Sequence, residues 1–399
     1  SYKYWHRYAM FNYKCYKYLY RQIKTRNQFT EREVAKINDY ATNAIKGLRH
    51  SLLMAKKSRV RTLEDCLRFI DIFFELGNNN NDLLNLIESI INETEPEIFI
   101  GIIPQLTCRF DLKNEKVLNI LINLLTKIFS IYPEVLFFPL ISIKNSKTKK
   151  SREIANKIME NAFKKNYGLK ELTEEYEEFV QELNKCAFLC HEEWLETIET
   201  CSKLYLNKEY DNMVNQFMKM YDKMKKQPEN LYEINFYQYF WAELSEAKKK
   251  LNKYLLKKYV NYLKEAWEIF QTVYEKINNY THFHTISLQY ISSILFNFKD
   301  SNIIIPTFLN KYFYNIYENN LTKGVKDLKQ NFKPVTIKQI DKYLNILDTK
   351  QHPRKISMMV TNNKEYIYLL KGHEDLRQDE RVIQIFNLMN LNYDKKKIT

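Results

Sequence analysis

The sequence predicts a mainly α protein: an α-solenoid over residues 1–180, a four-helix bundle over 181–279, and a small α+β lobe over 280–399. Three observations predict it. Six glycines and eight prolines in 399 residues are too few for the many turns of an all-β chain and suit long helices joined by short links. Apolar residues recur every three or four positions through the first 280 residues, the period of one helix face. After Thr281 that period gives way to short β-branched and aromatic runs bounded by turn residues.

In the solenoid, Leu63, Leu67, Ile70 and Phe74 share one helix face, which Gly77 and the asparagine run after it close. Leu83–Ile91, Ile98–Leu106 and Val117–Ile131 follow at short intervals, with Pro104 and Pro133 as their stops. Helices stacked in this way bury their faces on their neighbours. The basic run Lys144–Arg152 reads as a solvated connection, with an anion site as the alternative. In the bundle, Leu183, Ala187, Cys190, Trp194, Ile198, Cys201 and Tyr205 form one stripe across six turns. Met213, Phe217, Met220 and Met224 form the next, a third helix runs from about residue 229 to 257, and Leu263, Trp267, Phe270, Tyr274 and Ile277 mark the fourth. Four such helices with short links make an antiparallel bundle. In the lobe, Asn302–Phe308, Val335–Ile340, Tyr343–Leu347, Lys355–Val360 and Glu365–Leu370 read as strands. Asn362 and Asn363 suit a hairpin turn between the last two. A helix with Leu376, Val382, Ile385, Phe386 and Met389 follows.

A net charge of +14 raises nucleic acid and acidic membranes as partners. The lysines are spread through the whole chain, however, and no nucleic-acid reading motif accompanies them, so nucleic acid is not expected. The longest apolar run, Val135–Ile143, contains Pro139 and is far shorter than the ~20 residues of a spanning helix. Ser1 and the lysine-rich stretch ending at Thr399 read as cut ends. The six cysteines lack paired spacing and read as reduced, buried thiols. Cys186, Cys190 and His191 could form a metal cluster, yet an apolar helix face explains both cysteines as core, and no metal is expected.

The most informative string is Leu370–Val382, LKGHEDLRQDERV. It reads as a buried strand delivering Lys371 to its end, a turn at Gly372, then acidic residues opening a helix. Phosphoryl transfer uses an ammonium held at a strand end with a carboxylate to orient it. A surface hairpin followed by a helix whose Glu374, Asp375 and Asp379 complement the helix dipole explains the same charges. Spacing alone favours the latter. Likewise Trp194, Tyr205 and Trp267 invite a ligand reading, while aromatics at helical spacing are more often core.

KGHEDLRQDERV resembles the lysine-bearing segment of the target-of-rapamycin (TOR) kinases, within the phosphatidylinositol-3-kinase-related kinases, and HPRKISMM resembles the strand before that family's nucleotide loop. HEEWLETIETCSKLYL and LKEAWEIFQTVYEKI resemble the first and last helices of its rapamycin-binding (FRB) domain. IIPQLTCRFD and IYPEVLFFPL are similar to the C-terminal part of its FAT domain. The resemblance implies the FAT solenoid, the FRB bundle and an incomplete kinase N-lobe of a serine/threonine protein kinase that uses ATP and Mg²⁺ in nutrient and growth signalling. A non-catalytic scaffold derived from such a kinase is the alternative. The resemblance makes Lys371 the ATP-phosphate lysine, Glu374 its ion-pair partner, Asp379 a second acid and Thr361 a phosphate contact in the nucleotide loop. Val360 and Asn363 stand where the family carries glycine. No aspartate has an asparagine five residues on, and Asp-Phe-Gly is absent, so the catalytic loop and magnesium ligands are not in this chain and it is expected to be inactive alone. Ile198, Ser202, Leu206, Lys264, Trp267, Glu268, Gln271 and Tyr274 map to the cleft that rapamycin and substrates enter. Within it Leu206 and Gln271 replace a usual phenylalanine and tyrosine, Tyr274 a phenylalanine and Lys264 a threonine, which implies weakened affinity for the rapamycin–immunophilin complex. The implied partners are protein substrates, TOR-complex subunits and an inositol polyphosphate at Lys144–Arg152. The implied location is the cytoplasm and the surfaces of endomembranes, lysosome or vacuole.

Overall fold

The computed structural model describes residues 2–26, 30–53, 59–77, 80–280, 284–305, 335–349, 351–372 and 376–396. The protein is mainly helical with one small antiparallel sheet. Its contacts gather into two compact units, one of Ser1–Glu177, Ile304–Pro334 and Asp375–Thr399, the other of Glu178–Ile303 and Val335–Glu374.

The first unit opens with α1 (Tyr2–Arg26), α2 (Glu31–Leu53) and α3 (Arg59–Leu76). α1 and α2 cross where Ala9 meets Gly47, a contact so close that a Cβ on Gly47 would lie 2.9 Å from the Ala9 Cβ. A polar seam ties α1 to α3: Tyr13 donates to Asp71 at 2.6 Å, Tyr16 donates to Glu75, and the Lys17 ammonium pairs with both acids at 2.7 and 2.8 Å. The buried stripe of α3 is Cys66, Phe69, Phe73 and Leu76 with Ile70, so Leu63, Leu67 and Phe74 sit at its half-buried margins rather than its centre. Hydrophobicity alone misses this because Cys66 and the buried Asp65 belong to the inner face.

α4 (Asn81–Glu93) follows, with the Asn80 side chain accepting from the Leu83 N–H at its start. Ile98–Leu106 is not one helix. Pro96–Ile102 forms a 3-10 helix and α5 (Ile103–Thr107) begins beside Pro104, which opens that helix instead of stopping its predecessor. α6 (Glu115–Ile131) is capped by Asn114, and Pro133 opens the 3-10 turn Pro133–Val135. α7 (Phe137–Lys144) and α8 (Lys149–Phe163) take in both ends of the basic run, leaving only residues 145–148 as connection.

α9 (Gly168–Ala187) leads into the bundle of the second unit, formed by α10 (Cys190–Leu206), α11 (Tyr210–Met224), α12 (Leu231–Lys257) and α13 (Val260–Tyr280). The stripe from Leu183 to Tyr205 is thus carried by two helices that break at Phe188 and Leu189. Leu183 and Ala187 lie on α9 outside the bundle core, which takes in Cys190, Trp194, Ile198 and Cys201 of α10 with Tyr205 packed against it. The bundle core centres on Trp194, Phe217, Phe240, Leu251 and Phe270, with the Phe217 and Phe270 rings stacked 3.8 Å apart. Lys258 closes α12 in the left-handed conformation at φ 52°, its N–H bonded to the Tyr254 carbonyl.

The sheet comprises β1 (Thr285–Ser287), β2 (Ile337–Ile340), β3 (Tyr343–Ile346), β4 (Arg354–Val360) and β5 (Glu365–Leu370), all antiparallel, in the order β1-β3-β4-β2 with β5 on β4. Two short helices, α14 (Leu288–Ile291) and α15 (Ser293–Phe296), follow β1, a three-residue strand too brief to show a period of two. Of Asn302–Phe308, residues 306–308 lie outside the described residues. The remainder meets β2 through single bonds such as Ile337 N–H to the Ile303 carbonyl at 2.9 Å and forms no strand of its own. α16 (Arg377–Lys396) belongs to the first unit, where the Gln384 amide donates to the Gly101 carbonyl at 2.6 Å.

Candidate functional site

β4 and β5 form the hairpin that carries two of the nucleotide candidates, Thr361 in its loop and Lys371 directly after its end. The loop between them, residues 361–364, turns at Asn363, whose φ of 59° is the left-handed conformation that glycine adopts freely and asparagine tolerates. Asparagine there therefore keeps the turn that a glycine would give. The Asn363 N–H donates to the Val360 carbonyl at 2.8 Å, and the Lys364 N–H to the Asn362 side chain at 3.0 Å. Thr361 is exposed; its N–H donates to the Thr336 carbonyl at 3.0 Å and its hydroxyl accepts from the Thr336 N–H at 3.2 Å.

β5 ends at Leu370, directly followed by half-buried Lys371 and by Gly372. A Cβ on Gly372 would lie 2.3 Å from the Ala187 carbonyl oxygen and 3.3 Å from the Phe188 ring, so only glycine lets this backbone pass the end of α9. Across the hairpin, Leu370 pairs in register with Arg354. Glu374 lies outside the described residues. Asp379, in the first turn of α16, is exposed and belongs to the first unit, whereas Lys371 and Thr361 belong to the second.

Arg354 is the group the sequence reading passed over. β4 alternates, burying Arg354, Ile356, Met358 and Val360 on one face, so the arginine is forced inward and is 1% exposed. It donates to the His352 carbonyl at 2.6 Å and to the Glu192 carboxylate on α10, while its Nε has no hydrogen-bond partner. Glu192 also accepts from the Leu189 N–H at 3.3 Å, capping α10. The signal was available: an arginine in step with alternating apolar residues needs an acid, and Glu192 stands in a capping position.

Beside that pair, His191 is buried, with Nδ1 2.7 Å from the Tyr232 hydroxyl. Burial, then the Arg354 and His352 charges, push its imidazole down to about 3. Burial also pushes the Cys186 thiol up to about 12 and the Cys190 thiol well above its ordinary value, which opposes the thiolate a metal would need. No metal-binding group of His, Cys, Asp and Glu occurs among the described residues.

The cleft candidates lie on α10 and α13. Ile198 and Trp267 are buried; Ser202 and Tyr274 are half-buried; Leu206, Lys264, Glu268 and Gln271 are exposed, Leu206 to 77%. Tyr205 stacks on Trp267 with ring centres 5.2 Å apart, joining the two helices. The Tyr274 hydroxyl donates to Glu199 at 3.0 Å. Trp194 is fully buried as a core residue. In the basic run, Lys144 pairs with Glu177 at 2.6 Å, Lys150 donates to the Leu112 carbonyl, and Arg152 donates to the Ser146 carbonyl at 2.8 Å.

The FKBP12-rapamycin binding domain family matches residues 182–279, and the HEAT repeats of ATR-like serine/threonine-protein kinases match residues 82–180. These two segments are therefore similar to a helical repeat of ATR-like kinases followed by an FKBP12-rapamycin binding domain. The serine/threonine-protein kinase mTor of Drosophila melanogaster is 30% identical over 89% of this chain and 13% of its own length. TOR2 of Saccharomyces cerevisiae is 28% identical over 89% and 13%, and tor1 of Schizosaccharomyces pombe 28% over 98% and 15%. A solved structure described as the open conformation of CtTel1 aligns with 96% of this chain and 11% of its own at 13% identity and a TM-score of 0.46. Over 89–98% of its length the chain is similar to target-of-rapamycin serine/threonine kinases, and it spans 13–15% of the length of these curated relatives. Among the described residues no helix is long and apolar enough to cross a membrane.

Proposed function

We propose that this chain is the part of a TOR-type serine/threonine protein kinase that joins the FAT scaffold (1–180) through the FRB bundle (181–279) to the nucleotide-binding N-lobe (280–399). The whole protein would transfer the terminal phosphoryl group of ATP to protein substrates in nutrient and growth signalling, within a complex in the cytoplasm or at the surface of endomembranes, lysosome or vacuole. The observation that carries this reading is the β4–β5 hairpin. It follows the segment matched to the rapamycin-binding family and delivers Lys371 at its end. Lys371 would neutralise nucleotide phosphates, with Glu374 orienting it. The Thr361 oxygen already accepts from a backbone N–H, which leaves its proton to donate to a phosphate oxygen. Magnesium ligands are not identified among these residues.

In the bundle, Ile198, Ser202, Leu206, Lys264, Trp267, Glu268, Gln271 and Tyr274 would form the cleft for rapamycin with its immunophilin and for protein substrates. An inositol polyphosphate at Lys144–Arg152 would have to draw Lys144 from Glu177; a thermal-shift titration at physiological salt showing no stabilisation removes that part. The central test is full-length protein carrying Lys371→Met or Glu374→Gln. Each should cut turnover by orders of magnitude without unfolding. Normal turnover in the Lys371→Met enzyme would instead favour a non-catalytic scaffold role for this segment.

A further inference from the structure

We infer that the junction between α9 and α10, residues 187–192, positions Lys371 for ATP, with Arg354 and Glu192 as positioning residues and Gly372 as the contact. The inference rests on the reading of Lys371 as the phosphate lysine. Two independent observations converge on the residues either side of that lysine. On one side, Leu370 pairs across the hairpin with Arg354, whose buried guanidinium donates to Glu192 on the first bundle helix. On the other, Gly372 passes so near the last residue of α9 that any side chain would strike the Ala187 carbonyl oxygen. The lysine's backbone is thus bracketed by two links to one short junction, and all of these residues belong to one compact unit.

The chemistry of the links suits alignment. A buried guanidinium can give its fixed fork only to partners in one place, and Arg354 spends it on the His352 carbonyl and the Glu192 carboxylate. Glu192 is itself fixed by the Leu189 N–H in the same junction. A shift of the bundle's first helix is therefore transmitted to the strand end that bears Lys371. Anything that moves that helix would change ATP affinity without touching the nucleotide.

The test uses the full-length kinase with Glu192→Gln, which keeps the size and removes the charge, Arg354→Lys, which keeps the charge and removes the fork, and Gly372→Ala. Lys371→Met is the reference. ATP KM and kcat are measured separately, alongside thermal unfolding. Positioning predicts a rise of about tenfold to a hundredfold in KM for ATP in enzyme that melts as a folded protein. A purely structural role would reduce the amount of active enzyme and leave KM for ATP unchanged, and that result overturns the inference. If Gly372→Ala does not fold, Glu192→Gln and Arg354→Lys decide it by the same KM readout. An active Lys371→Met enzyme would instead show that the phosphate-lysine reading itself has failed.

Discussion

At the scale of single residues, the most consequential groups are buried polar ones that hydrophobic patterning does not flag. Arg354 is legible only once the strand parity of HPRKISMM is taken seriously, because period two sets it beside Ile356 and Met358. Its acid, Glu192, is 162 residues earlier, and no local spacing could pair them. Lys371 and Thr361 are candidates by resemblance alone, while the need for glycine at 372 emerges only from the approach of the α9 end. Removing one partner of such a buried pair leaves an uncompensated charge and costs about 3–5 kcal/mol, so Glu192→Ala should lower the melting temperature sharply. Chemical denaturation of wild type and variant at neutral pH checks this. His191 supplies a pH dependence. Its folded value is depressed to about 3, so below the ordinary 6.5 the unfolded chain binds a proton that the folded chain refuses. Stability is complete above about 6.5 and falls as pH drops towards 3, by about 1.4 kcal/mol per pH unit from this group. Denaturant titrations of His191→Gln at pH 7 and pH 5 should show the loss between them reduced by about 2 kcal/mol. An unchanged loss would place the acid sensitivity elsewhere.

At the scale of elements, the bundle helices were legible because each buries one stripe, whereas the break between α9 and α10 was not, since apolar residues keep their spacing through it. Short elements were not: β1, α14 and α15 are three or four residues long and carry no period, and Pro104 acts as a helix opener rather than a stop. Phe270 stacks face to face on Phe217 inside the bundle, so Phe270→Ala should destabilise it by about 3–5 kcal/mol, read by thermal unfolding. On the cleft side, the bundle is expected to bind the rapamycin–immunophilin complex weakly. Leu206 and Gln271 lack the rings expected there, and each aromatic contact is worth about 0.5–1.5 kcal/mol beyond its area. Two losses give about 1–3 kcal/mol, or roughly tenfold to a hundredfold in affinity. Tyr274 already satisfies its hydroxyl on Glu199, so it adds little to the penalty. Calorimetry should show recovery with Leu206→Phe and Gln271→Tyr together; wild-type affinity equal to that of a rapamycin-sensitive bundle would sink this prediction.

At the scale of the whole molecule, the fold class was legible because composition and period change together at one point, near Thr281. The gathering of contacts into two units was not, since it joins the hairpin to the bundle and α16 to the early helices across long stretches of chain. That grouping depends on contacts such as Arg354 with Glu192 and Gln384 with Gly101, which no periodicity encodes. The sequence carries the proposed phosphate lysine, Lys371, but no aspartate with an asparagine five residues on and no Asp-Phe-Gly. In-line phosphoryl transfer draws its rate from metal-held phosphates and an oriented nucleophile, and a lysine alone supplies neither. Purified residues 1–399 with labelled ATP, Mg²⁺ and a generic serine/threonine peptide should therefore give no phosphopeptide above a no-protein blank. The control is the Lys371→Met chain. Signal that survives that substitution comes from a contaminating kinase, whereas signal abolished by it would mean that this stretch transfers phosphate by itself, against the expectation.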